Sequence, residues 1–165
     1  MNLNPIHRIL LTTDGSVTAI IEAYTQKAVV VETVEQRIIK ADEEIAKRLG
    51  IKEGDEVNYR IVYLKAGGEI YAKAISYTPL KRLQNGFRDD LMRADIPIGK
   101  IMKKHRIEAR REIRWGGVLE SKELAMEMGV RKPFFIVRNY SIIHRNEVLM
   151  DITEFFPMEK FEQKF

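Results

Sequence analysis

The chain has 165 residues, of which 45% are hydrophobic and 32% are charged, and its formal net charge is +4. This composition indicates a globular protein of about one domain (roughly 100–200 residues) and excludes a disordered chain, which would have fewer apolar residues and a larger net charge. The absence of cysteine excludes disulfides, thiolate metal sites and a cysteine nucleophile.

The first part of the chain is predicted to form two helices and a long strand. Residues Leu3–Thr12 are apolar with helical tendency, and Ser16 is suited to cap a second helix that runs through Ile20, Ile21 and Tyr24. The β-branched stretch Lys27–Lys40 predicts a strand. A short helix follows from Asp42 and ends at residue 50, a glycine.

A hairpin is predicted next, followed by helical segments. The strands Val57–Lys65 and Glu69–Thr78 flank Ala66-Gly67-Gly68, which is a strong turn signal. A charged helical stretch then contains residues 83, 87 and 91. The segment Ile96-Pro97-Ile98-Gly99 predicts the start of a further short helix, because proline suits the first helical turn.

The remainder is predicted to be mostly strand. His105–Trp115 resembles a basic strand, and Ser121–Met128 a short helix. A last hairpin joins Phe134–His144 to Glu147–Phe156 through Arg145 and Asn146, and the end of the chain from residue 158 is predicted to be a loose tail.

This order of elements predicts one α+β domain over residues 1–165, with an antiparallel sheet of about six strands and helices packed on it. We expect no internal repeat and no linker. We also expect a soluble cytoplasmic protein, because no signal peptide and no apolar run of bilayer length (~20 residues) is visible.

Three charged side chains fall among apolar neighbours on the predicted strands. Because successive side chains of a strand point to opposite faces, Arg60 shares a face with Val62, and Glu154 shares one with Ile152. Arg138 likewise falls in phase with apolar residues of its own strand. A buried charge is costly unless it is paired, so each group needs a neighbouring side chain or a ligand.

Two interpretations of these charges remain open. An inward arginine can bind a ligand carboxylate through two parallel hydrogen bonds, and a buried glutamate can accept a hydrogen bond from a hydroxyl or act as a general acid or base. Alternatively, Arg60 and Glu154 form a purely structural ion pair, or they lie on edge strands whose faces are solvated.

Five short segments carry a family resemblance: DGSVT (14–18), EEIAKRLGIKEGDEVNYRIVYL (43–64), GEIYAKAISYTP (68–79), IPIGKIM (96–102) and VLMDITEFFP (148–157). In their order and spacing they resemble chorismate pyruvate-lyase and the related ligand-sensing domain of bacterial transcription regulators, the UbiC transcription regulator-associated (UTRA) domain. The resemblance extends over most of the chain, from about Asp14 to Pro157, and implies a chorismate-lyase-like fold.

The resemblance also implies a binding site. Arg60 would bind the carboxylate of the aromatic product, and Glu154 would meet the hydroxyl at the opposite end of the ring. A backbone amide at Ile98, which Gly99 follows, would help to hold the carboxylate. Val17 takes the place of a residue that covers the ring as a flap.

The chain departs from the lyase at one point of this site. The lyase has a second arginine on the strand that matches IYAKAISYTP, where this chain offers only Lys73, offset by about one position. Lysine provides a point charge rather than a planar fork. Arg138 is the other candidate for this role.

The resemblance implies one of two functions. As a lyase, the protein would convert chorismate into 4-hydroxybenzoate and pyruvate with Glu154 and Arg60 as catalytic residues and without a cofactor or metal. As a UTRA-type domain, it would bind an aromatic or cyclic acid without chemistry. In both cases the expected partner is a small carboxylated ring, not nucleic acid or a membrane, and the oligomeric state is not predicted.

A basic stripe between Lys103 and Arg114 offers a third alternative, nucleic-acid binding. Glu108 and Glu112 interrupt this stripe and no aromatic platform accompanies it, so a solvated surface is favoured. The three histidines show no metal-ligand spacing and are predicted to have structural or surface roles.

Overall fold

The computed structural model describes residues 2–93 and 98–162. Within these residues, helices cover both faces of a six-stranded antiparallel sheet, as the sequence predicted for an α+β fold. The helices are α1 (Pro5–Thr12), α2 (Val17–Thr25), α3 (Glu43–Leu49), α4 (Asn85–Arg93), α5 (Ile98–Lys104) and α6 (Lys122–Met128). The strands are β1 (Val29–Lys40), β2 (Glu56–Ala66), β3 (Glu69–Pro79), β4 (Arg110–Glu120), β5 (Phe134–His144) and β6 (Glu147–Pro157), and 3₁₀ turns occur at Leu80–Arg82 and Met158–Phe161.

The strand order in the sheet is β1-β2-β3-β6-β5-β4. The ladder between β3 and β6 joins the two halves of the sheet, and it is shorter than the ladders inside each half, because only Lys73–Tyr77 and Asp151–Phe155 are paired. The middle of the sheet therefore lies where β3, the last strand of the first half, meets β6, the last strand of the second half.

Local signals explain the turns. Gly67 and Gly68, between β2 and β3, both have positive φ (58° and 79°), as do Arg145 and Asn146 between β5 and β6 (51° and 60°). Two consecutive left-handed residues match the right-handed twist of the flanking strands, so both predicted hairpins are confirmed.

The sheet has two differently covered faces. One, which we call the site face, carries Arg60, Glu154 and Arg138: Arg60 lies opposite Ser76, and Glu154 lies opposite both Ala74 and Arg138 in the strand register. Helices α1 and α2 cover one end of the site face, and α4 and α5 cover the other. Helices α3 and α6 pack on the opposite face.

Apolar packing fixes these helices. Leu10 of α1 and Ile21 of α2 are fully buried against a cluster that includes Phe156, while Phe87 of α4 and Ile101 of α5 pack near the other end of the site face. Burial of each such side chain contributes about 1.5–3 kcal/mol. The helices are thereby held at the two ends of the site face.

The chain contains an internal repeat, contrary to the sequence prediction. The order α2-β1-α3-β2-β3 recurs as α5-β4-α6-β5-β6, and each series ends in a 3₁₀ turn. Strands β2 and β5 begin 78 residues apart, as do β3 and β6. The segments EIAKRLGI (44–51) and ELAMEMGV (123–130) occupy matching positions. The two halves are therefore related by a pseudo-two-fold axis between β3 and β6.

The start of the fourth strand was predicted five residues too early. Helix α5 ends in a turn where Arg106 has φ 53° and the amide of Ile107 donates to the carbonyl of Met102. The strand therefore begins only at Arg110. Of the predicted helix start at residues 96–99, residues 96 and 97 lie outside the described residues.

The prediction of a loose tail was wrong for residues 158–162. Met158–Phe161 forms a 3₁₀ turn in which Phe161 is fully buried, its ring centroid 5.6 Å from that of Tyr71 and 6.3 Å from that of Phe156. The Asn4 side chain also donates to the Phe161 carbonyl at 2.7 Å. Residues 163–165 lie outside the described residues.

Candidate functional site

A cavity of about 630 Å³ lies on the site face between the sheet, α2 and α5. Its floor comes from the strands, and its sides come from the two helices that occupy equivalent places in the internal repeat. The lining residues are Ser16, Val17, Thr18, Ala19, Glu22, Val31, Arg60, Val62, Leu64, Ala74, Ser76, Ile98, Gly99, Lys100, Met102, Lys103, Ile107, Arg111, Tyr140, Met150, Ile152 and Glu154. This volume falls in the range of small-molecule sites (~300–1,000 Å³).

Arg60 and Glu154 both line the floor of this cavity. Their exposed fractions are only 4% and 5%, so neither group projects into bulk solvent. Strand β3 lies between β2, which carries Arg60, and β6, which carries Glu154. Two strand spacings and a two-residue offset along the strands separate their Cα atoms by about 12 Å. A guanidinium and a carboxylate therefore reach the cavity from two well-separated positions.

The ion-pair partner of Glu154 is Arg138. The Arg138 Nε donates to Glu154 Oε1 at 2.8 Å, and Arg138 Nη1 donates to the Thr13 carbonyl in the loop before α2. Arg138 is fully buried beneath the cavity. It therefore compensates the charge of Glu154 and ties β5 to the entry of α2.

Arg138 is also the repeat counterpart of Arg60, because both lie at the same place in strands that begin 78 residues apart. Each arginine has a directly opposed residue on the next strand: Ser76 opposite Arg60, and Glu154 opposite Arg138. The second half thus carries its own carboxylate against its arginine, whereas the first half has a small hydroxyl side chain there. Ser76 lines the cavity beside Arg60.

Tyr140 completes the polar part of the floor. Its hydroxyl donates to Glu154 Oε2 at 3.1 Å. Burial raises the pKa of Tyr140 far above its ordinary value, and the nearby charge of Glu154 raises it further. The phenol therefore stays protonated and remains a donor to the carboxylate, so both Glu154 oxygens have partners.

The structure brings most of the predicted site residues together. Val17 at the start of α2 lines the cavity, as do Ile98 and Gly99 at the start of α5. Val17 and Ile98 begin the repeat-related helices. Arg138 lies directly below the cavity rather than in its wall.

Lys73 is the exception, because the structure does not bring it to the cavity. It alternates with Ala74 on β3 and therefore points to the opposite face. There its Nζ lies 2.8 Å from a carboxylate oxygen of Glu127 on α6. Strand alternation thus corrects the expectation that Lys73 supplies the second cation of the site.

Sequence reasoning missed Tyr140 and Arg111 as cavity residues. Tyr140 shares the face of Arg138 two residues away, so alternation could have identified it. Arg111 was assigned to a surface stripe, but it lines the cavity, while its neighbour Arg110 is exposed and pairs with Glu112 at 3.0 Å. The predicted basic stripe is therefore divided between the cavity and an ion-paired surface.

The described residues form neither a metal-ligand cluster nor a helix that could span a membrane. No group of three or more His, Asp or Glu side chains in residues 2–93 and 98–162 is arranged to hold a metal ion. In the same residues, no helix has both the length and the apolar character that crossing a bilayer requires.

Comparison with known proteins identifies the family. The family model described as chorismate pyruvate-lyase Rv2949c-like matches residues 11–164. A Methanocaldococcus jannaschii protein named "Putative lyase MJ0807" is 40% identical over 158 residues, which cover 90% of this chain and 76% of that protein. The lyase resemblance predicted from sequence is therefore confirmed at the level of the family.

Solved structures share the fold at low sequence identity. The effector domain of PhnF from Mycobacterium smegmatis superposes with a TM-score of 0.74 and 15% identity, covering 91% of this chain and 93% of that domain. A GntR-family transcriptional regulator from Bacillus cereus gives a TM-score of 0.64 and 18% identity over 83% and 96% of the two chains. These likenesses confirm the predicted fold.

Proposed function

Because this chain belongs to the chorismate pyruvate-lyase Rv2949c-like family, we propose that it eliminates pyruvate from chorismate and leaves 4-hydroxybenzoate. The observation that carries this proposal is the placement of Arg60 and Glu154 on the floor of one cavity, on different strands and both almost fully buried. A ring with a carboxylate at one end and a hydroxyl at the other fits this pair of groups.

Arg60 would bind the ring carboxylate through its planar fork, assisted by the Ser76 hydroxyl opposite it. The start of α5, at Ile98 and Gly99, and Val17 at the start of α2 would close the cavity over the ring. The protein thereby fixes the orientation of the ring and limits the access of water.

Glu154 would accept a hydrogen bond from the ring hydroxyl and carry the one proton that moves. The ring carbon that bears the hydroxyl loses its hydrogen as a proton, and the bond from the neighbouring carbon to the enolpyruvyl oxygen breaks. The electron pair of the C–H bond completes the aromatic ring, and the departing enolpyruvate takes up a proton at its methylene carbon to become pyruvate. Arg138 and Tyr140 hold the carboxylate in place throughout.

A second candidate function is binding of an aromatic or cyclic acid without chemistry. It is favoured by the engagement of both Glu154 oxygens, because one already accepts from Arg138 and the other from Tyr140, so each has a protein partner before any ligand binds. The fold shared with a domain that is named an effector domain is compatible with this role.

Incubation of the purified protein with chorismate, followed by chromatography for 4-hydroxybenzoate and pyruvate, tests the first function. We expect Arg60→Ala to lower kcat/KM by at least about 10- to 100-fold, since a charge-assisted hydrogen bond contributes about 1.5–3 kcal/mol. Arg37→Ala is the matched control, because Arg37 is exposed on β1 and pairs with Glu35.

Calorimetry separates the two functions. Binding of 4-hydroxybenzoate that depends on Arg60, without turnover of chorismate, would reject the lyase and support the binding domain. Turnover that is indifferent to Arg60→Ala would contradict the assignment of the carboxylate site.

A further inference from the structure

Arg111 places a second guanidinium in the cavity. It lies on β4 opposite Ile142, so its side chain leaves the strand on the site face, and it lines the cavity wall. Its Nη1 donates to the Asp14 carbonyl at 3.3 Å, and its guanidinium carbon lies 5.9 Å from the ring centroid of Tyr140. These contacts hold the head group at the side of the cavity.

The charge of Arg111 is not matched by a carboxylate among the residues that the structure describes. Its Nε is buried and has no hydrogen-bond partner there. Of the two acidic residues that line the cavity, Glu154 is paired with Arg138, and Glu22 accepts a hydrogen bond from the Val29 amide at 3.0 Å. A planar cation with an unused buried donor is suited to a bidentate anion.

The two cavity arginines lie on opposite sides of the floor. Arg60 is on β2, near one edge of the sheet, and Arg111 is on β4, which forms the other edge, with β3, β6 and β5 between them. Their side chains therefore converge on the cavity from opposite directions. A ligand with one carboxylate on each side would satisfy both.

From this geometry we infer that Arg111 binds a second carboxylate of the ligand, so that the cavity selects cyclic dicarboxylates over ring monocarboxylates. The inference rests on the proposed function for the class of ligand, a carboxylated ring. In chorismate the second carboxylate is that of the enolpyruvyl group, and Arg111 would hold this group beside the bond that breaks. The product 4-hydroxybenzoate lacks this carboxylate and would not use Arg111.

Steady-state kinetics with Arg111→Gln and Arg111→Lys test the inference. We expect Arg111→Gln to raise KM for chorismate by about 10- to 100-fold, since an ionic hydrogen bond of about 1.5–3 kcal/mol is lost. The inhibition constant of 4-hydroxybenzoate should change by less than about two-fold, which corresponds to ~0.4 kcal/mol. Arg111→Lys should fall between, because it keeps the charge and loses the fork.

Arg110→Gln is the control, because Arg110 is the exposed neighbour of Arg111 and its ion-pair partner is Glu112. Its kinetic constants should equal those of the wild type. Urea unfolding of each variant reveals whether a change in KM reflects lost folding. The inference is overturned if Arg111→Gln leaves KM for chorismate unchanged, or if it weakens chorismate and 4-hydroxybenzoate equally.

Equilibrium binding measurements test the role of Arg111 even if the protein is not a lyase. If the wild type does not turn over chorismate, calorimetry with chorismate and with 4-hydroxybenzoate makes the same comparison. A loss of affinity in Arg111→Gln that is confined to chorismate upholds the inference, although the lyase proposal then fails. A wild type that binds 4-hydroxybenzoate but not chorismate refutes the inference.

Discussion

Replacement of Arg138 by methionine is expected to destabilise the protein by about 3–5 kcal/mol, because it leaves the Glu154 carboxylate buried without its counter-charge. Arg138 is 0% exposed and Glu154 is 5% exposed, so little solvent reaches the pair. The 2.8 Å bond from Arg138 Nε is lost, together with the bond from Nη1 to the Thr13 carbonyl. This loss is a large fraction of the total stability of a typical domain, about 5–15 kcal/mol.

A double-mutant cycle measures the interaction energy between Arg138 and Glu154. Replacing both Arg138 and Glu154 by methionine removes both charges and keeps similar volume, so we expect it to recover more than half of the loss seen in Arg138→Met. The coupling energy should be at least about 2 kcal/mol, at or above the upper part of the range of about 0.5–3 kcal/mol measured for residues in direct contact. The double variant is expected to fold and to lack the contact with a ring hydroxyl that is proposed for Glu154.

Urea unfolding followed by circular dichroism measures these differences. With an m-value of about 2 kcal/mol/M, Arg138→Met should lower the midpoint by about 1.5–2.5 M. Arg110→Met is the control, since its ion pair with Glu112 is exposed and contributes less than about 1 kcal/mol. A loss below about 1 kcal/mol in Arg138→Met, or a double variant as unstable as the single one, would refute the account of a buried compensated pair.

Three further predictions concern other parts of the structure. Gly116→Ala should be about 1 kcal/mol less stable than Gly117→Ala in urea unfolding. A Cβ at Gly116 would lie 2.8 Å from the Leu11 side chain and 3.4 Å from a backbone carbonyl oxygen, whereas a Cβ at Gly117 would have nothing within 4 Å. Equal stabilities of the two variants would contradict this prediction. Burial and the hydrogen bond to Glu127 raise the pKa of Tyr63 to about 12, above the value of about 10 for an unperturbed tyrosine. The neutral phenol therefore contributes its full stabilisation below about pH 10, and this contribution is lost as the pH rises towards 12. Tyr63→Phe should therefore flatten the decline in stability across this window, and an unchanged decline would show that Tyr63 does not cause it. Lys73→Met should leave calorimetric affinity for ring carboxylates within about two-fold of the wild type, because Lys73 lies on the opposite face; a ten-fold loss would show that it does reach the site.

The elements set by local chemistry could be predicted from the sequence. Ser16 caps α2 by accepting from the Ala19 amide, Asp42 caps α3, and Gly50 ends α3 in the left-handed region. Such signals depend on a few consecutive residues and need no knowledge of the tertiary structure. Alternation along β2 and β6 also put Arg60 and Glu154 in phase with apolar residues, and both side chains are buried.

The pairing of these charges could not be predicted, because it depends on which strands are neighbours. Alternation assigns Glu154 to a face, but only the order β3-β6-β5 places Arg138 directly across from it and separates it from Arg60 by a strand. The position of Lys73 was predicted wrongly for a different reason. Its alignment with a family arginine was one position out of phase, and a shift by one residue moves a side chain to the other face.

Arg111 and the internal repeat were missed for different reasons. The strand that carries Arg111 was predicted to begin at His105, since the turn at Arg106 gives no glycine signal for its positive φ. The repeat is weak in sequence outside the segments 44–51 and 123–130, because β2 and β5 share little beyond hydrophobic alternation, and the recurring order of elements and the symmetric strand order make it evident.

The short ladder between β3 and β6 has a consequence for how occupancy of the cavity affects the protein as a whole. Arg60 and Ser76 belong to the first repeat, and Glu154 and Tyr140 to the second, so any molecule that touches both sets is a non-covalent crosslink across the weakest junction of the sheet. At a free concentration of 100 times its Kd, such a molecule adds about 2.7 kcal/mol to the free energy of unfolding. When such a molecule binds, the backbone amides of Lys73–Tyr77 should exchange with deuterium more slowly, because the two repeats are then linked across this ladder.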